Sequence, residues 1–152
     1  MTCSRERKRA WKRVVQCQKL YGLQEPFQVL MDGTFLYQTI AKKLVVKELI
    51  QSVFGKHQVQ WLVTACIRNE LKALGESHRG ASLIAKRIQV LPCQHQTVQE
   101  IDAAKCIESL VQQQKLFVAT GDQKLIQACK KQYHIPVLFI TSRGTLHLAK
   151  PE

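Results

Sequence analysis

The chain has 152 residues, of which 45% are hydrophobic and 22% charged, and its formal net charge is +12. This length and composition predict one globular domain and exclude a disordered polyelectrolyte. The apolar runs are too short for a transmembrane helix, and no apolar secretory segment follows the basic N-terminus, so we expect neither a membrane anchor nor a signal peptide. In a reducing compartment, the six cysteines are expected to be thiols or metal ligands rather than disulfides.

Positive charge is concentrated at the start of the chain. Residues 1–19 contain seven basic residues and one acid, which is half of the formal charge. This pattern favours a polyanionic partner, with nucleic acid as the leading candidate. A solvated charged helix or a nuclear-import signal would have the same composition. The residues predicted to contact such a nucleic acid are Arg5, Arg7, Lys8, Arg9, Lys12 and Arg13.

Helices and strands are predicted to alternate along the chain. The first helix covers residues 5–20, with Trp11, Val14, Val15 and Leu20 on one side. Short apolar runs predict strands at 27–32, 59–64, 89–92, 116–120, 137–141 and 145–149. Helical spacing predicts helices at 33–44, 46–55, 65–74, 80–88, 100–114 and 121–132.

This alternation predicts an α/β fold: a three-layer sandwich with a mainly parallel central sheet, helices on both faces and a C-terminal hairpin strand. We divide the chain into a basic leader at 1–22 and a domain at 23–152. In such sheets, ligand sites lie at the carboxyl ends of the strands. Asp32, Thr64 and Thr120 end predicted strands, and Asp122 follows the fourth.

Three acids are predicted to converge at that edge of the sheet. Asp32 follows the first strand, Glu70 lies in the helix after the second, and Asp122 follows the fourth. Three carboxylates could hold Mg²⁺ or Mn²⁺, and such an ion could activate water against a phosphodiester. Acids at helix starts are common, however, and Asp122 could simply be an N-terminal helix charge.

The motifs and their order resemble the PIN-domain nucleases, and most of all their ribosome-assembly branch, the small-subunit processome factors of the U three protein twenty-three family. A nuclease-competent sister family is the second match. The matching stretches cover nearly the whole domain: EPFQVLMDGTF (25–35), TACIRNELKALG (64–75), GASLIAKRIQVLPCQH (80–95), KCIESLV (105–111), LFVATGDQKL (116–125) and IPVLFIT (135–141). The resemblance implies a PIN-like fold, a role in pre-ribosomal RNA processing, binding to a small nucleolar RNA and pre-18S ribosomal RNA, other processome proteins as partners, and a nuclear, nucleolar location.

By this resemblance, Asp32, Glu70 and Asp122 match three acids of the PIN metal site. Active members carry a further acid just before the cysteine of KCIESL, where this chain has Ala104 and Lys105. A lysine there would repel a metal ion, although Asp102 or Glu108 could substitute from neighbouring positions. We therefore expect an inactive remnant site on a domain that binds RNA.

Two cysteines and a histidine lie close together in PCQHQTVQEIDAAKC, residues 92–106. Cys93, His95 and Cys106, with the earlier Cys66, offer the three sulfurs and one imidazole that tetrahedral Zn²⁺ prefers. The spacing matches no common zinc-finger signature, and burial is the usual fate of a free cysteine. The resemblance implies a structural Cys-Cys-His-Cys zinc site at these four residues. Cys3, Cys17 and Cys129 match no ligand position.

Three functions of different classes follow from these patterns. The first is a non-catalytic RNA-binding assembly factor with zinc as a scaffold. The second is an active Mg²⁺- or Mn²⁺-dependent endoribonuclease that uses Asp32, Glu70 and Asp122, with Asp102 as a further candidate. The third is a protein-interaction module whose charge is incidental. Trp11 could either stack on an RNA base or anchor the leader helix to the body.

Overall fold

The computed structural model describes residues 4–93, 95 and 102–151. Its centre is a six-stranded sheet with the order β3-β2-β1-β4-β5-β6. Neighbouring strands are parallel except for β6, which runs antiparallel to β5. The strands are β1 (Phe27–Met31), β2 (Val59–Val63), β3 (Gln89–Val90), β4 (Phe117–Ala119), β5 (Val137–Ile140) and β6 (Leu146–Leu148).

Seven α-helices are present among the described residues. They are α1 (Ser4–Tyr21), α2 (Gly33–Ala41), α3 (Val46–Phe54), α4 (Ala65–Ala73), α5 (Arg79–Arg87), α6 (Ala103–Val111) and α7 (Gln123–Ala128). A 3-10 turn at Gly75–His78 leads into α5, and a π-helical turn at Cys129–Tyr133 follows α7. The predicted α/β fold is confirmed. The predicted start of the sixth helix at residue 100 lies outside the described residues, as does Cys3.

Three phenylalanines form the centre of the core on one side of the sheet. Phe27 on β1, Phe54 on α3 and Phe117 on β4 are almost completely buried. Their ring centroids lie 5.1 to 5.8 Å apart, and both contacts of Phe117 are edge-to-face. Because such aromatic pairs contribute about 0.5–1.5 kcal/mol beyond area burial, this cluster fixes α3 against the two central strands.

Helix α1 packs against α3 and β6 and shares the core of the domain. Val14 and Cys17 are fully buried. The Trp11 ring is stacked on the His57 ring, with centroids 3.8 Å apart, and its edge meets Phe27. The structure therefore gives Trp11 the anchoring role. The division at residue 22 stays a prediction.

The predicted apolar side of α1 is wrong at Leu20, which is 62% exposed. The buried stripe instead runs through Val14 and Cys17 to the half-buried Tyr21. Leu20 lies about 100° around the helix from Tyr21 and so points away from α3 and β6. Among the described helices, none combines the length and the apolar character that a bilayer crossing requires.

We expect Trp11→Ala to lower the free energy of unfolding by about 2 kcal/mol, because it removes the aromatic contacts that hold α1 to the body. For a chain of this size, that corresponds to a fall of about 6 °C in the thermal midpoint. Leu20→Ala, on the same helix but exposed, is the matched control and should change stability by less than about 0.5 kcal/mol. Equal effects of the two substitutions in thermal melts would show that Trp11 does not anchor α1 to the body.

Candidate functional site

Four polar residues begin helices at or near the edge of the sheet where the parallel strands end. The Asp32 carboxylate accepts a hydrogen bond from the Phe35 N–H (2.9 Å) and begins α2. Thr64 begins α4 in the same way, Asp102 begins α6 and Asp122 begins α7. Such caps satisfy helix N–H groups that have no partner within the helix. Asp122 thus has the helix-start role that its sequence position allowed.

The structure brings Asp32, Glu70 and Asp122 together on the wall of one cavity of about 310 Å³. Asp32 is buried, Asp122 is half-buried and Glu70 is exposed at the rim. The rest of the wall is largely apolar and includes Ile67, Leu71, Leu74, Ile107 and Leu125. Three carboxylates on a concave surface could bind a hard cation through their oxygens, or could accept hydrogen bonds from a ligand rich in N–H groups.

Hydrogen bonds within the chain use both oxygens of the Asp32 carboxylate. Its Oδ1 accepts from the Thr34 hydroxyl (2.7 Å), and its Oδ2 accepts from the Thr120 hydroxyl. The same two hydroxyls accept backbone N–H groups of the next loop: Gly121 N–H bonds Thr34 Oγ1 (2.8 Å) and Asp122 N–H bonds Thr120 Oγ1 (3.0 Å). Asp32 therefore ties the end of β1 to the loop after β4.

Burial raises the pKa of Asp32, and the nearby Asp122 carboxylate raises it further, while the hydrogen bonds from Thr120, Phe35 and Thr34 oppose the shift. A raised pKa means that the folded chain holds the proton more tightly than the unfolded chain does. The contribution of Asp32 to stability is consequently lost as the pH rises through the raised value. A bound cation would reverse this preference by stabilising the charged form.

Helix α6 brings methyl groups to the cavity. Ala103, Ala104 and Ile107 line the wall, whereas Lys105 is exposed and is not part of it. The expectation that a lysine ammonium occupies the place of the missing acid is therefore wrong, because Lys105 is turned about 100° around the helix from Ala104. Compared with the PIN metal site that the resemblance implies, this cavity lacks one carboxylate but gains no positive charge.

Neither alternative acid of α6 replaces that carboxylate. The Asp102 side chain accepts from the Lys105 N–H (2.8 Å) and so caps its own helix. Glu108 is exposed and bonds the Tyr133 hydroxyl, whose pKa is raised first by burial and then by this acid. Neither residue lines the cavity.

The four residues of the predicted metal cluster lie together. The ligand atoms of Cys66, Cys93, His95 and Cys106 are all within 4.8 Å of one another, and such a set could hold a metal ion. Cys93 Sγ lies 3.9 Å from Cys66 Sγ and 3.5 Å from Cys106 Sγ, and His95 Nε2 lies 3.3 Å from Cys66 Sγ. These sulfurs are free thiols, since a disulfide would require about 2.05 Å.

Burial raises the pKa of Cys66 and raises that of Cys106 to about 12. Without a metal ion these thiols are therefore protonated at neutral pH. Metal ligands must be thiolates, so binding would release protons and would weaken as the pH falls.

The metal cluster and the cavity are built on the same two helices. Cys66 on α4 is followed by the cavity residues Ile67 and Glu70, and Cys106 on α6 lies between Ala104 and Ile107. The Glu70 charge contributes to the raised pKa of Cys66. An ion at the cluster would therefore hold together two walls of the cavity.

The predicted RNA-binding cations lie along α1. Arg5, Arg7, Lys8, Arg9 and Lys12 are exposed, and Arg13 is half-buried. Burial lowers the pKa of His147 on β6, and the positive charges of Arg13 and Lys130 lower it further. Arg13 of α1 and Lys130 of the π-helical turn after α7 therefore both lie near His147.

Sequence reasoning missed several residues of the site. Thr34 follows Asp32 by two positions, a spacing that could have indicated its hydrogen bond. Tyr37 and Gln38 on α2 and His78 before α5 also line the cavity. Tyr37 and Gln38 occupy ordinary helix positions in the sequence, and no sequence signal pairs Tyr37 with His78, about forty positions later.

Together, the parallel sheet, the flanking helices and the acids at the strand ends define a PIN-like α/β domain. A solved structure described as "Structure of the PIN domain endonuclease Utp24" is similar, with a TM-score of 0.72 and 29% identity over 82% of this chain and 92% of that one. The Fcf1 family model matches residues 55–148. The chain belongs to the Fcf1 family.

Curated relatives carry rRNA-processing names. The rRNA-processing protein FCF1 homolog of Homo sapiens is 31% identical over 77% of this chain and 59% of its own length. FCF1 of Saccharomyces cerevisiae is 33% identical over 78% of the chain and 62% of its length. The rRNA-processing protein utp23 of Schizosaccharomyces pombe is 27% identical over 81% of this chain and 48% of its own length. The chain thus spans about three fifths of the FCF1 relatives, and its assignment to the U three protein twenty-three branch stays a prediction.

Proposed function

We propose that this chain is an RNA-binding factor of pre-ribosomal RNA processing, built on a PIN-like domain whose metal site is incomplete. The observation that carries the proposal is the presence of Ala104 on the cavity wall instead of a carboxylate. Its family and the rRNA-processing names of its relatives support the assignment to ribosome biogenesis. We extend the proposal to a nucleolar location and to a small nucleolar RNA, pre-18S ribosomal RNA and small-subunit processome proteins as partners.

The acids that remain are poor ligands for a catalytic ion. Asp32, Glu70 and Asp122 are the residues that would hold Mg²⁺ or Mn²⁺, and the ion would supply an activated water when bound. Both oxygens of Asp32 already accept hydrogen bonds, and one oxygen of Asp122 caps α7. Without a fourth carboxylate, few free oxygens remain to replace the water molecules that the ion would give up on binding.

The surface charge supports the RNA-binding part of the proposal. Five of the predicted RNA-binding cations are exposed on the single helix α1, and such a concentration of positive charge favours contact with a phosphate backbone. Binding of this kind is electrostatic, tolerates many sequences and weakens as salt is added.

An active endoribonuclease is the second candidate. The similar solved structure is described as a PIN domain endonuclease, and three acids do meet in one cavity here. Under this alternative, the three acids would bind the ion without help from α6.

Incubation with single-stranded RNA and Mn²⁺ separates the two candidates. We expect RNA to be bound and recovered intact, with no more cleavage by the wild type than by Asp32→Asn, because the metal site lacks a ligand. Ala104→Asp should tighten Mn²⁺ binding, as measured by calorimetry, and Leu83→Asp is the matched control that adds the same single negative charge at an exposed position outside the cavity. Wild-type cleavage that is lost in Asp32→Asn would establish the nuclease.

Replacement of four exposed cations of α1 tests the RNA surface. We expect the combined Arg5→Gln, Lys8→Gln, Arg9→Gln and Lys12→Gln variant to bind RNA more weakly. The slope of log affinity against log salt should fall by up to about 3, at ~0.7 per lost phosphate contact on single strands. Fluorescence anisotropy over a salt series measures both quantities. Substitution isolates charge better than deletion of residues 1–13, which would also remove Trp11.

The control for this test removes the same charge elsewhere. Four other exposed cations serve: Lys56→Gln, Lys72→Gln, Arg143→Gln and Lys150→Gln. If the two combined variants lose affinity equally, net charge explains binding and α1 is not the RNA surface. An unchanged salt slope in the α1 variant would contradict the proposal directly.

We also propose that the Cys66–Cys93–His95–Cys106 cluster binds structural Zn²⁺. Around a tetrahedral zinc ion with Zn–S bonds of about 2.3 Å, sulfurs lie ~3.8 Å apart and sulfur and nitrogen lie ~3.5 Å apart. The observed separations of 3.9, 3.5 and 3.3 Å are close to these values. Four protein ligands form a closed site, which is typical of structural rather than catalytic zinc.

Elemental analysis of protein purified under reducing conditions tests the zinc site. We expect about one zinc ion per chain, lost in Cys106→Ser and His95→Ala, with a fall in the thermal midpoint of about 10 °C or more. Cys129→Ala, a buried cysteine outside the cluster, should retain the zinc. Wild-type protein that contains no zinc, and whose thermal midpoint equals that of the Cys106→Ser and His95→Ala variants, would refute this site.

A further inference from the structure

We propose that the cavity at the strand ends is a subsite for one unpaired RNA nucleobase, which stacks against Tyr37. This inference rests on the proposed RNA-binding function and identifies which part of the RNA the former metal site would receive. Three features support it: an aromatic pair at the cavity, an apolar wall, and a set of hydrogen-bond acceptors, one of which has no partner within the described part of the chain.

The aromatic pair consists of Tyr37 and His78. Both line the cavity, and their rings are stacked with centroids 4.5 Å apart and planes 28° from parallel. The His78 ring is held by a 2.8 Å hydrogen bond between its Nδ1 and Ser77 Oγ. Tyr37 remains 40% exposed although it stacks on this fixed ring. A supported but accessible aromatic ring is the feature on which proteins stack single-stranded bases.

The apolar wall suits a flat heterocycle. Leu71, Leu74 and Ile107 face the cavity, and Leu74 is 50% exposed. Ala104 leaves space where a longer side chain would project. Because a volume of about 310 Å³ lies at the small end of the usual range for ligand pockets, the cavity has room for one base rather than a folded segment.

The polar groups of the cavity are mainly acceptors. Gln38 Oε1 is buried and has no hydrogen-bond partner among the described residues. The Gln38 amide packs where a Cβ on Gly121 would lie, so the absence of that Cβ gives the amide its place. A buried acceptor without a partner is costly and would be satisfied by a ligand N–H. The carboxylates of Glu70 and Asp122 add further acceptors.

This polarity selects the base over the phosphate. Carboxylates repel a phosphodiester that has no bridging cation, whereas the amino groups of adenine, cytosine and guanine donate hydrogen bonds to such oxygens. Uracil has no amino group and offers fewer donors. The cavity should therefore favour an amino-bearing base over uracil.

The test uses short uridine oligomers in which one central position is adenosine, cytidine, guanosine or the fluorescent adenine analogue 2-aminopurine. We expect the oligomers with an amino-bearing base to bind severalfold more tightly than all-uridine RNA, and the 2-aminopurine fluorescence to be quenched by stacking. Tyr37→Ala should lower affinity about 5- to 100-fold, remove the preference over uridine and abolish the quenching.

Three further variants separate stacking from other effects. Tyr37→Phe keeps the ring and should retain quenching, while Ala104→Phe fills the cavity without adding charge and should abolish it. Leu83→Ala, an exposed apolar residue of α5 outside the cavity, is the control and should change nothing. Circular dichroism checks that every variant is folded.

The outcomes distinguish this inference from the proposed function. If the wild type binds RNA with a steep salt dependence but Tyr37→Ala and Ala104→Phe retain affinity, base preference and quenching, the nucleobase subsite is refuted and the RNA-binding function stands. If the wild type binds none of the oligomers at low salt, both fail.

Discussion

The parallel pairing of β1 with β2 on one side and with β4 on the other determines where the polar groups of this chain meet. The register Met31↔Ala119 places Asp32 beside Thr120, and the register Leu30↔Leu62 brings the end of β2 to the same edge. The buried Asp32 carboxylate, which accepts hydrogen bonds from Thr34, Phe35 and Thr120, then fixes the start of α2 against the loop after β4. A shift in either register would separate these polar groups, because they come from different segments of the chain; Asp32 and Thr120, for example, are 88 positions apart.

Among the described residues, helices α4 and α6 carry both candidate sites. Each contributes one cysteine to the metal cluster and neighbouring residues to the cavity. Arg68 of α4 also donates hydrogen bonds to the carbonyls of Ala85, Lys86 and Ile88 at the end of α5, and so holds that helix near the loop that carries Cys93 and His95. Because one ion would join α4, α6 and this loop, metal binding at the cluster would also stabilise the shape of the cavity.

The difference between a catalytic and a binding version of this domain is small in structural terms. The sheet, the helix caps and three acids are in place, and the similar endonuclease structure has the same overall fold at a TM-score of 0.72. Under the proposed function, the methyl group of Ala104 leaves the wall without a further metal ligand, as an apolar surface with acceptors at its edge. A metal site depends on the total negative charge and the number of ligands, so one missing carboxylate alters its chemistry while the packing of the core is unaffected.

The sequence by itself determined the order of helices and strands, the parallel α/β class, the acids at the strand ends and, through its family resemblance, the four residues of the metal cluster. These follow from local periodicity and from motifs a few residues long. Only the tertiary structure decided that Ala104 and not Lys105 faces the cavity, and that Cys17 rather than Leu20 is buried. It also decided that Trp11 stacks on His57, that Tyr37 stacks on His78, and that Gln38 Oε1 has no hydrogen-bond partner among the described residues. The physical reason is that the rotation of each helix about its axis is set by packing against distant segments, and a turn of one residue, about 100°, moves a side chain from a cavity to solvent.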